Sequence, residues 1–210
     1  MWISAYEPCT LVDFPGKIAT IVFTPGCNLR CGYCHNSELV LPEKIREYRE
    51  RRKEAEFFHF LESRKGLLDG VSICGGEPTL HTDLSEFCHR VKSMGFLVKL
   101  DTNGTHPEVI EKLLSQGVID CIAMDIKHVF HEYASLTGVP VDPVIYRRSI
   151  QLIRESGIEY EFRSTIISGV HTLEHILEMA EYIHGASRYF LQNFRTHSTL
   201  DPDFSGEPFS

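Results

Sequence analysis

The amino-acid sequence predicts an α/β fold with mostly parallel strands, and three observations support this prediction. Short apolar runs rich in β-branched residues alternate with longer amphipathic segments along the whole chain. The connections between them are short, which favours parallel strands joined by right-handed crossovers. The polar residues of chemical interest follow the apolar runs, where the carboxyl ends of parallel strands meet. Both an open doubly wound sheet and a curved partial barrel fit this pattern.

Length and composition narrow the possible classes of protein. The 210 residues suffice for one sizeable core, so we expect a single domain over residues 1–210, with a lead-in at 1–16 and an irregular tail at 195–210. The formal net charge of -8 argues against a nucleic-acid partner. The sequence has no long uncharged apolar run and no signal-peptide pattern, so no membrane association is expected. Seven cysteines, three of them bunched, suit a reducing cytoplasm.

The first predicted strand covers residues 18–23 and ends at a Pro-Gly pair, which opens a loop over residues 24–35. The charge-dense segment 42–65 carries apolar residues at helical spacing and predicts one helix. Its run of mixed charges at 49–54 is interpreted as a solvated face of that helix. No Gly-x-Gly-x-x-Gly precedes this first helix, so a dinucleotide-binding fold has no support.

The same alternation then repeats to the end of the chain. Five further strands are predicted from apolar and β-branched runs, at residues 71–74, 96–100, 121–124, 160–167 and 189–194. Four further helices are predicted from helical periodicity, at residues 82–94, 107–116, 143–156 and 172–184. The segment between the strand at 121–124 and the helix at 143–156 is predicted to be irregular over residues 128–140.

Three cysteines within eight residues form the most specific motif of the chain. Cys27, Cys31 and Cys34 are spaced Cys-x3-Cys-x2-Cys in the loop after the first strand. Closed clusters and structural zinc sites normally have four protein ligands, so three thiolates either recruit a distant fourth or leave a metal position open. A zinc knot completed by His35 or by one of the four scattered cysteines is the alternative on spacing alone.

The other candidate site residues follow successive strands and therefore converge on one rim of the sheet. In chain order they are Gly75-Gly76-Glu77, Asp101-Thr102-Asn103, Asp125 with Lys127, and Arg163 along the fifth strand. Paired glycines allow close approach of the main chain to a ligand, and an acidic residue suits an ammonium group. A zinc knot predicts no such convergence. Taken singly, each could be a polar group of a surface turn, and Arg163 could form a core ion pair.

With Tyr33 just before its last cysteine, the cysteine motif resembles the cluster-binding motif of the radical S-adenosylmethionine (SAM) enzymes. The resemblance implies a partial (β/α)6 barrel in which Cys27, Cys31 and Cys34 hold three irons of a [4Fe-4S] cluster, while SAM chelates the fourth iron. It also implies reductive cleavage of SAM to a 5′-deoxyadenosyl radical, with the electron supplied by a flavodoxin- or ferredoxin-like donor. His35 would then be a polar residue of the loop or tune the cluster.

The strand-end residues extend the resemblance. Gly75-Gly76-Glu77 looks like the family element that meets the SAM amino group. The segments Asp101-Thr102-Asn103 and Asp125-Ile126-Lys127 look like parts of the glycyl-radical-enzyme activases that line the SAM site. This implies that Asp101 faces cationic or hydroxyl groups of SAM and that Lys127 faces its carboxylate. Arg163 resembles the basic residue that the family carries on strand five near SAM.

Two less specific stretches of the sequence resemble one group of activases. Residues 11–17, followed by the cysteine motif, and residues 192–195 resemble the activating proteins of anaerobic ribonucleoside-triphosphate reductase. The implied partner is the large subunit of that glycyl radical enzyme, and His128, His131 and Glu132 would lie near its glycine loop. The alternatives are a small-molecule radical SAM enzyme, such as 7-carboxy-7-deazaguanine synthase, and a non-catalytic zinc-binding interaction module.

Overall fold

The computed structural model describes residues 1–47 and 54–210, and its strands form one seven-stranded sheet. The strands are β1 Ala5–Thr10, β2 Ala19–Thr24, β3 Gly70–Gly75, β4 Leu97–Thr102, β5 Cys121–Asp125, β6 Glu159–Ile166 and β7 Tyr189–Asn193. Strands β2 to β7 are parallel to their neighbours, and β1 pairs antiparallel with β2. The predicted parallel α/β class is therefore confirmed.

The order of the strands in the sheet distinguishes the two architectures. It follows the chain from β1 to β7 without a reversal. Right-handed crossovers between successive neighbours place all helices on the same face, whereas a doubly wound sheet needs a reversal. A cavity of about 410 Å³ is lined by residues of every strand from β1 to β7. A flat sheet would separate its edge strands by about 29 Å, so this sheet curls into a partial barrel.

Alternation along the strands gives the sheet one apolar and one polar face. Val98 and Leu100 of β4 belong to the main hydrophobic core, which the helices cover. Lys99 lies between these two residues and Asp101 follows Leu100, so both side chains point to the opposite, concave face. There they form ion pairs with residues of β6. The concave face is thus a charged surface enclosed by strands.

Eight α-helices connect or follow the strands within the described residues: α1 Ser37–Val40, α2 Pro42–Glu47, α3 Glu54–Glu62, α4 Leu84–Ser93, α5 Pro107–Ser115, α6 Tyr133–Thr137, α7 Pro143–Arg154 and α8 Leu173–Tyr182. Side-chain hydrogen bonds cap the amino-terminal ends of two of these helices. The Asp142 carboxylate accepts a hydrogen bond from Val144 N at the start of α7, and Thr172 Oγ1 accepts one from His175 N at the start of α8. Short 3-10 helices occur at Pro78–Leu80 and Phe130–Glu132.

The predicted lead-in at residues 1–16 contains β1, a strand that the sequence pattern did not predict. This strand carries Pro8 and three consecutive exposed residues, so it shows none of the clean alternation that identifies a strand. Its position at the edge of the sheet explains both features, since an edge strand tolerates proline and needs only one bonded side.

In the segment predicted as one helix over 42–65, the described residues form α2 and α3, and the predicted solvated run at 49–54 lies outside the described residues except for Glu54. The four-residue helix α1 was not predicted from the sequence. The irregular segment 128–140 contains α6, whose Tyr133, Leu136 and Thr137 are buried. These helices are too short for periodicity to reveal.

Candidate functional site

The cysteine loop is held from three sides by backbone hydrogen bonds. Gly26 N donates to Leu39 O of α1 at 2.7 Å, and Arg30 N donates to Thr137 O at the end of α6 at 2.7 Å. From the chain's last segment, Leu200 N donates to Cys34 O at 2.8 Å. The loop itself has no regular secondary structure. Its conformation is therefore set by distant parts of the chain, which can fix the directions of three thiols.

All three thiols of the loop are largely withdrawn from water. Burial raises the pKa of Cys31 to about 11 and also raises the pKa of Cys27 and of Cys34. Lys127 acts in the opposite direction on each of them, but burial is the larger influence. Buried thiolates need a cationic centre to compensate for lost hydration, which a metal centre supplies.

The spacing of the sulfur atoms tests which metal centre fits. Within residues 1–47 and 54–210, one group of three His, Cys, Asp or Glu side chains has all its ligand atoms within 4.8 Å of one another, and it consists of His128, Glu132 and His175. The three cysteines do not form such a group. A single zinc ion at about 2.3 Å from each sulfur would bring the sulfurs to within about 4 Å. The wider arrangement fits a cluster in which each sulfur binds a separate iron.

Gly75 and Gly76 allow the loop after β3 to lie directly against the loop after β2. A Cβ atom on Gly75 would lie 2.3 Å from the backbone of Thr24, and φ of Gly75 is +129°. A Cβ atom on Gly76 would lie 2.0 Å from Gly26 O, and Glu77 N donates to that same oxygen at 2.7 Å. The absence of side chains at these two glycines therefore allows the cysteine loop to pack directly against the loop after β3.

Glu77 is fully buried and organises the polar rim. Its carboxylate accepts hydrogen bonds from Thr79 N at 3.1 Å, Thr79 Oγ1 at 2.5 Å, Thr102 Oγ1 at 2.7 Å and Asn103 N at 2.7 Å. Asn103 in turn donates to the Asn28 side chain in the cysteine loop at 2.9 Å. Four donors already occupy this carboxylate, so Glu77 joins the loops after β2, β3 and β4 into one unit.

The charged residues of the rim form a continuous chain of ion pairs. Arg163 Nη1 lies 3.0 Å from Asp101 Oδ2, and its Nη2 lies 3.2 Å from Asp125 Oδ1. Lys127 Nζ lies 3.0 Å from Asp125 Oδ2. Burial alone would raise the pKa of Asp125, but the adjacent Lys127 and Arg163 lower it to about 2. Burial would lower the pKa of Lys127, yet Asp125 raises it well above its ordinary value. Asp125 and Lys127 are therefore both charged at neutral pH.

One cavity of about 230 Å³, which we call the first cavity, is lined by every predicted site residue: Cys27, Cys31, Tyr33, Cys34, Gly75, Gly76, Glu77, Asp101, Thr102, Asn103, Lys127 and Arg163. Cys74, Asp125 and Thr165 also line it. Cys74, one of the four scattered cysteines, was not among the predicted site residues, although its place directly before the paired glycines could have identified it. We call the 410 Å³ cavity of the concave face the second cavity; Cys74, Asp101, Asp125, Arg163 and Thr165 line both.

Residues that follow β7 cover the outer side of the cysteine loop. The ring of His35 stacks on Phe194 with 5.5 Å between centroids, and its Nδ1 lies 3.3 Å from Ser198 O. Asp201 N donates to Gly32 O at 3.1 Å, and Phe204 packs 6.2 Å from Tyr33 between ring centroids. The predicted irregular tail is thus a structural cover of the loop.

The histidine group near α8 is a separate cluster. His128 Nε2 lies 3.4 Å from Glu132 Oε2, and His175 Nε2 lies 4.0 Å from it. The Nδ1 atom of His128 accepts a hydrogen bond from Val129 N at 2.9 Å, and that of His175 accepts one from Thr172 N at 3.4 Å. A neutral imidazole that binds a metal through Nε2 carries its proton on Nδ1. These rings instead carry the proton on Nε2 and face Glu132 as donors.

This cluster predicts a pH dependence of stability. Burial, followed by the neighbouring His171 and His175, lowers the pKa of His128 from 6.5 to about 4. A depressed folded-state pKa contributes stability above pH 6.5 that is lost as the pH falls toward 4. We expect His128→Gln to reduce the loss of unfolding free energy between pH 7.5 and 5 by about 2 kcal/mol in urea denaturation. His131→Gln, at a 62% exposed side chain, is the control. An unchanged pH slope in His128→Gln would contradict the assignment.

The helices of the described residues include none that is both long and apolar enough to cross a bilayer.

Comparison with known proteins gives consistent matches. The model of the radical SAM superfamily matches residues 21–183. The chain is 32% identical over 211 residues to the provisionally named glycyl-radical enzyme activating enzyme MJ1227 of Methanocaldococcus jannaschii, covering 98% of this chain and 85% of that protein. It is 32% identical over 151 residues to pyruvate formate-lyase 1-activating enzyme of Escherichia coli K12, covering 65% of this chain and 56% of that enzyme. The chain thus spans little more than half of the second relative.

Among solved structures, SuiB of Streptococcus suis bound to S-adenosylmethionine has a similar fold. The TM-score is 0.62 at 19% identity, over 87% of this chain and 44% of that one. At this identity the similarity concerns the fold alone, and it agrees with the partial barrel described above.

Proposed function

The chain belongs to the radical SAM superfamily, and from this we propose that it is an activase that installs a glycyl radical on a partner enzyme. The superfamily uses a [4Fe-4S] cluster and SAM. Relatives named as activating enzymes of glycyl radical enzymes support the class of reaction. The observation that carries the proposal is the second cavity of about 410 Å³, in which we place a segment of the partner protein.

The residues present fit both cofactors. Cys27, Cys31 and Cys34 would hold the cluster, because their sulfurs are spread wider than a single ion requires. A [4Fe-4S] cluster held by three thiolates keeps one iron without a protein ligand, and SAM would bind there. When bound and reduced, the cluster and SAM supply a carbon-centred radical that can remove a hydrogen atom from a glycine Cα.

The charges of the first cavity complement the amino-acid end of SAM. Its carboxylate would accept from Lys127, whose ammonium has one carboxylate partner at 3.0 Å. The ammonium group of SAM would lie at the acidic side of the rim, near Asp101 and the backbone of Gly75 and Gly76. Because the Glu77 carboxylate already has four donors, we assign to it the positioning of Thr102 and Asn103. Tyr33 would shield the cluster from solvent, since this residue is only 8% exposed.

The second cavity is the proposed entrance for the glycine-bearing loop of the partner. It meets the first cavity at five shared residues, so a segment inside it lies beside bound SAM. A closed eight-stranded barrel fills its interior with side chains and has no edge strands. Here β1 and β7 are both edges, which leaves the concave side open. An extended segment with a glycine at its tip fits such an entrance because glycine lacks a side chain.

We assign the large subunit of anaerobic ribonucleoside-triphosphate reductase as the partner, with a flavodoxin- or ferredoxin-like electron donor. The assignment is supported by residues 11–17 and 192–195. Each stretch contributes one residue to the lining of the second cavity, Asp13 from the first and Gln192 from the second. The stretches that resemble this group of activases therefore also contact the proposed entrance.

The test is anaerobic reconstitution with iron and sulfide, followed by dithionite, SAM and the reductase subunit. We expect 5′-deoxyadenosine and a glycyl signal in electron paramagnetic resonance, with a subunit whose radical glycine is replaced by alanine as the control. A signal only on another glycyl radical enzyme would overturn the partner but keep the activase. Turnover of a small substrate without any glycyl signal would overturn the activase. A fully loaded cluster that yields no 5′-deoxyadenosine would contradict SAM cleavage.

A further inference from the structure

Lys99 is a lysine buried inside the barrel, and it was not among the predicted site residues. It lies on β4, its side chain is 1% exposed, and it points to the same face as Asp101 two residues later. Its Nζ donates to Asp101 Oδ1 at 2.5 Å and lies 3.5 Å from Glu161 Oε1. Burial would lower the pKa of Lys99, but Asp101 and Glu161 raise it. The Lys99 side chain therefore carries its positive charge at neutral pH.

The surroundings leave space for this group and close it off from solvent. In the register of the sheet, Ala123 of β5 lies between Asp101 of β4 and Glu161 of β6. Its methyl group leaves room for a long side chain between the two carboxylates. Glu161 is itself 8% exposed. Replacing a buried ion pair with well-packed apolar residues is often neutral or stabilising, so stability alone gives little reason for Lys99 here.

Lys99 and Arg163 hold Asp101 from two sides. Lys99 binds Oδ1, and Arg163 Nη1 binds Oδ2 at 3.0 Å. Two cations, one on each oxygen, fix the plane of the carboxylate. Each oxygen keeps one lone pair for a further donor. Asp101 is 6% exposed, and that exposed part lines both cavities.

We propose that Lys99 is a positioning residue for SAM, because it fixes the orientation in which Asp101 presents its carboxylate to the cationic or hydroxyl groups of SAM. The inference rests on SAM binding in the first cavity, as the proposed function requires, but not on the identity of the partner. The competing role for Lys99 is purely structural, namely neutralisation of Glu161. The two roles predict different SAM affinities when the charges of both Lys99 and Glu161 are removed.

The experiment measures the affinity of the cluster-loaded protein for SAM by anaerobic titration calorimetry, with Tm and iron content on the same samples. Lys99→Met removes the nearer cation of Glu161 and leaves it only Arg163 Nη1 at 4.0 Å, so both Tm and affinity should fall. Lys99→Met combined with Glu161→Gln removes one charge of each sign. We expect this double variant to recover Tm but to bind SAM about tenfold more weakly than the wild type, the equivalent of one charge-assisted hydrogen bond.

A third variant tests whether Lys99 acts through Asp101. In an Asp101→Asn background, the further change Lys99→Met with Glu161→Gln should alter SAM affinity by less than about twofold, since its target is already removed. Full recovery of SAM affinity in the double variant, or an undiminished effect in the Asp101→Asn background, would overturn the inference. A wild-type protein that carries the cluster but binds no SAM would instead overturn the proposed function.

Discussion

Replacing Cys31 by alanine is expected to abolish cluster binding and all SAM cleavage. Cys31 is the most buried of the three cysteines in the loop. A cluster with two protein ligands is exposed to solvent on two irons and is lost. After reconstitution, iron and sulfide per chain and the visible absorbance should fall to background, and 5′-deoxyadenosine should be undetectable.

The matched control is Cys88→Ala. Cys88 is fully buried in α4 and belongs to the main hydrophobic core, whereas the loop cysteines belong to a separate hydrophobic cluster. We expect a modest loss of stability with unchanged iron content, because the substitution removes a small apolar group. Equal iron content in Cys31→Ala and Cys88→Ala would mean that the cluster is held elsewhere. The zinc-binding alternative makes another prediction, since zinc content rather than iron would follow Cys31.

The parallel class, the six parallel strands and the cavity-lining residues could be predicted because each leaves a local signal. An apolar run that ends in glycine, aspartate or a cysteine motif marks both a strand and its carboxyl end. Parallel strands then bring residues such as Cys34, Asp101 and Arg163 to one rim without any knowledge of their contacts. The convergence follows from topology alone.

Other features could not be predicted because they depend on contacts between distant segments. Whether Glu77 would bind a ligand or hold Thr102 and Asn103 depends on the separation of two loops, which no local pattern encodes. Lys99 looks like an interruption of an apolar strand until Glu161, 62 residues later, is placed beside it. β1 was missed because an edge strand needs little of the pattern that identifies an inner one.

A single methyl group on Gly76 is expected to separate the two loops that form the first cavity. The Cβ of Gly76→Ala would lie 2.0 Å from Gly26 O and 2.5 Å from its carbonyl carbon, so a backbone must move. That movement breaks the hydrogen bond from Glu77 N to Gly26 O, one residue before Cys27. We expect a loss of about 3 kcal/mol, near the upper range for overpacking, and a Tm lower by roughly 6–12 °C. Iron content should fall with it.

Gly117→Ala separates this clash from the ordinary cost of replacing a glycine. Gly117 has a φ of +62° but no atom within 4 Å of an added Cβ, so its substitution carries backbone strain without a clash. That strain costs about 1–2 kcal/mol, and iron content should not change. Gly76 has no positive φ, so any larger effect there arises from contact with the cysteine loop. If Gly76→Ala kept both its iron and a Tm within 2–3 °C of the wild type, the two loops would be able to move apart without cost. The close approach of the glycine pair would then not be what holds the cluster site together.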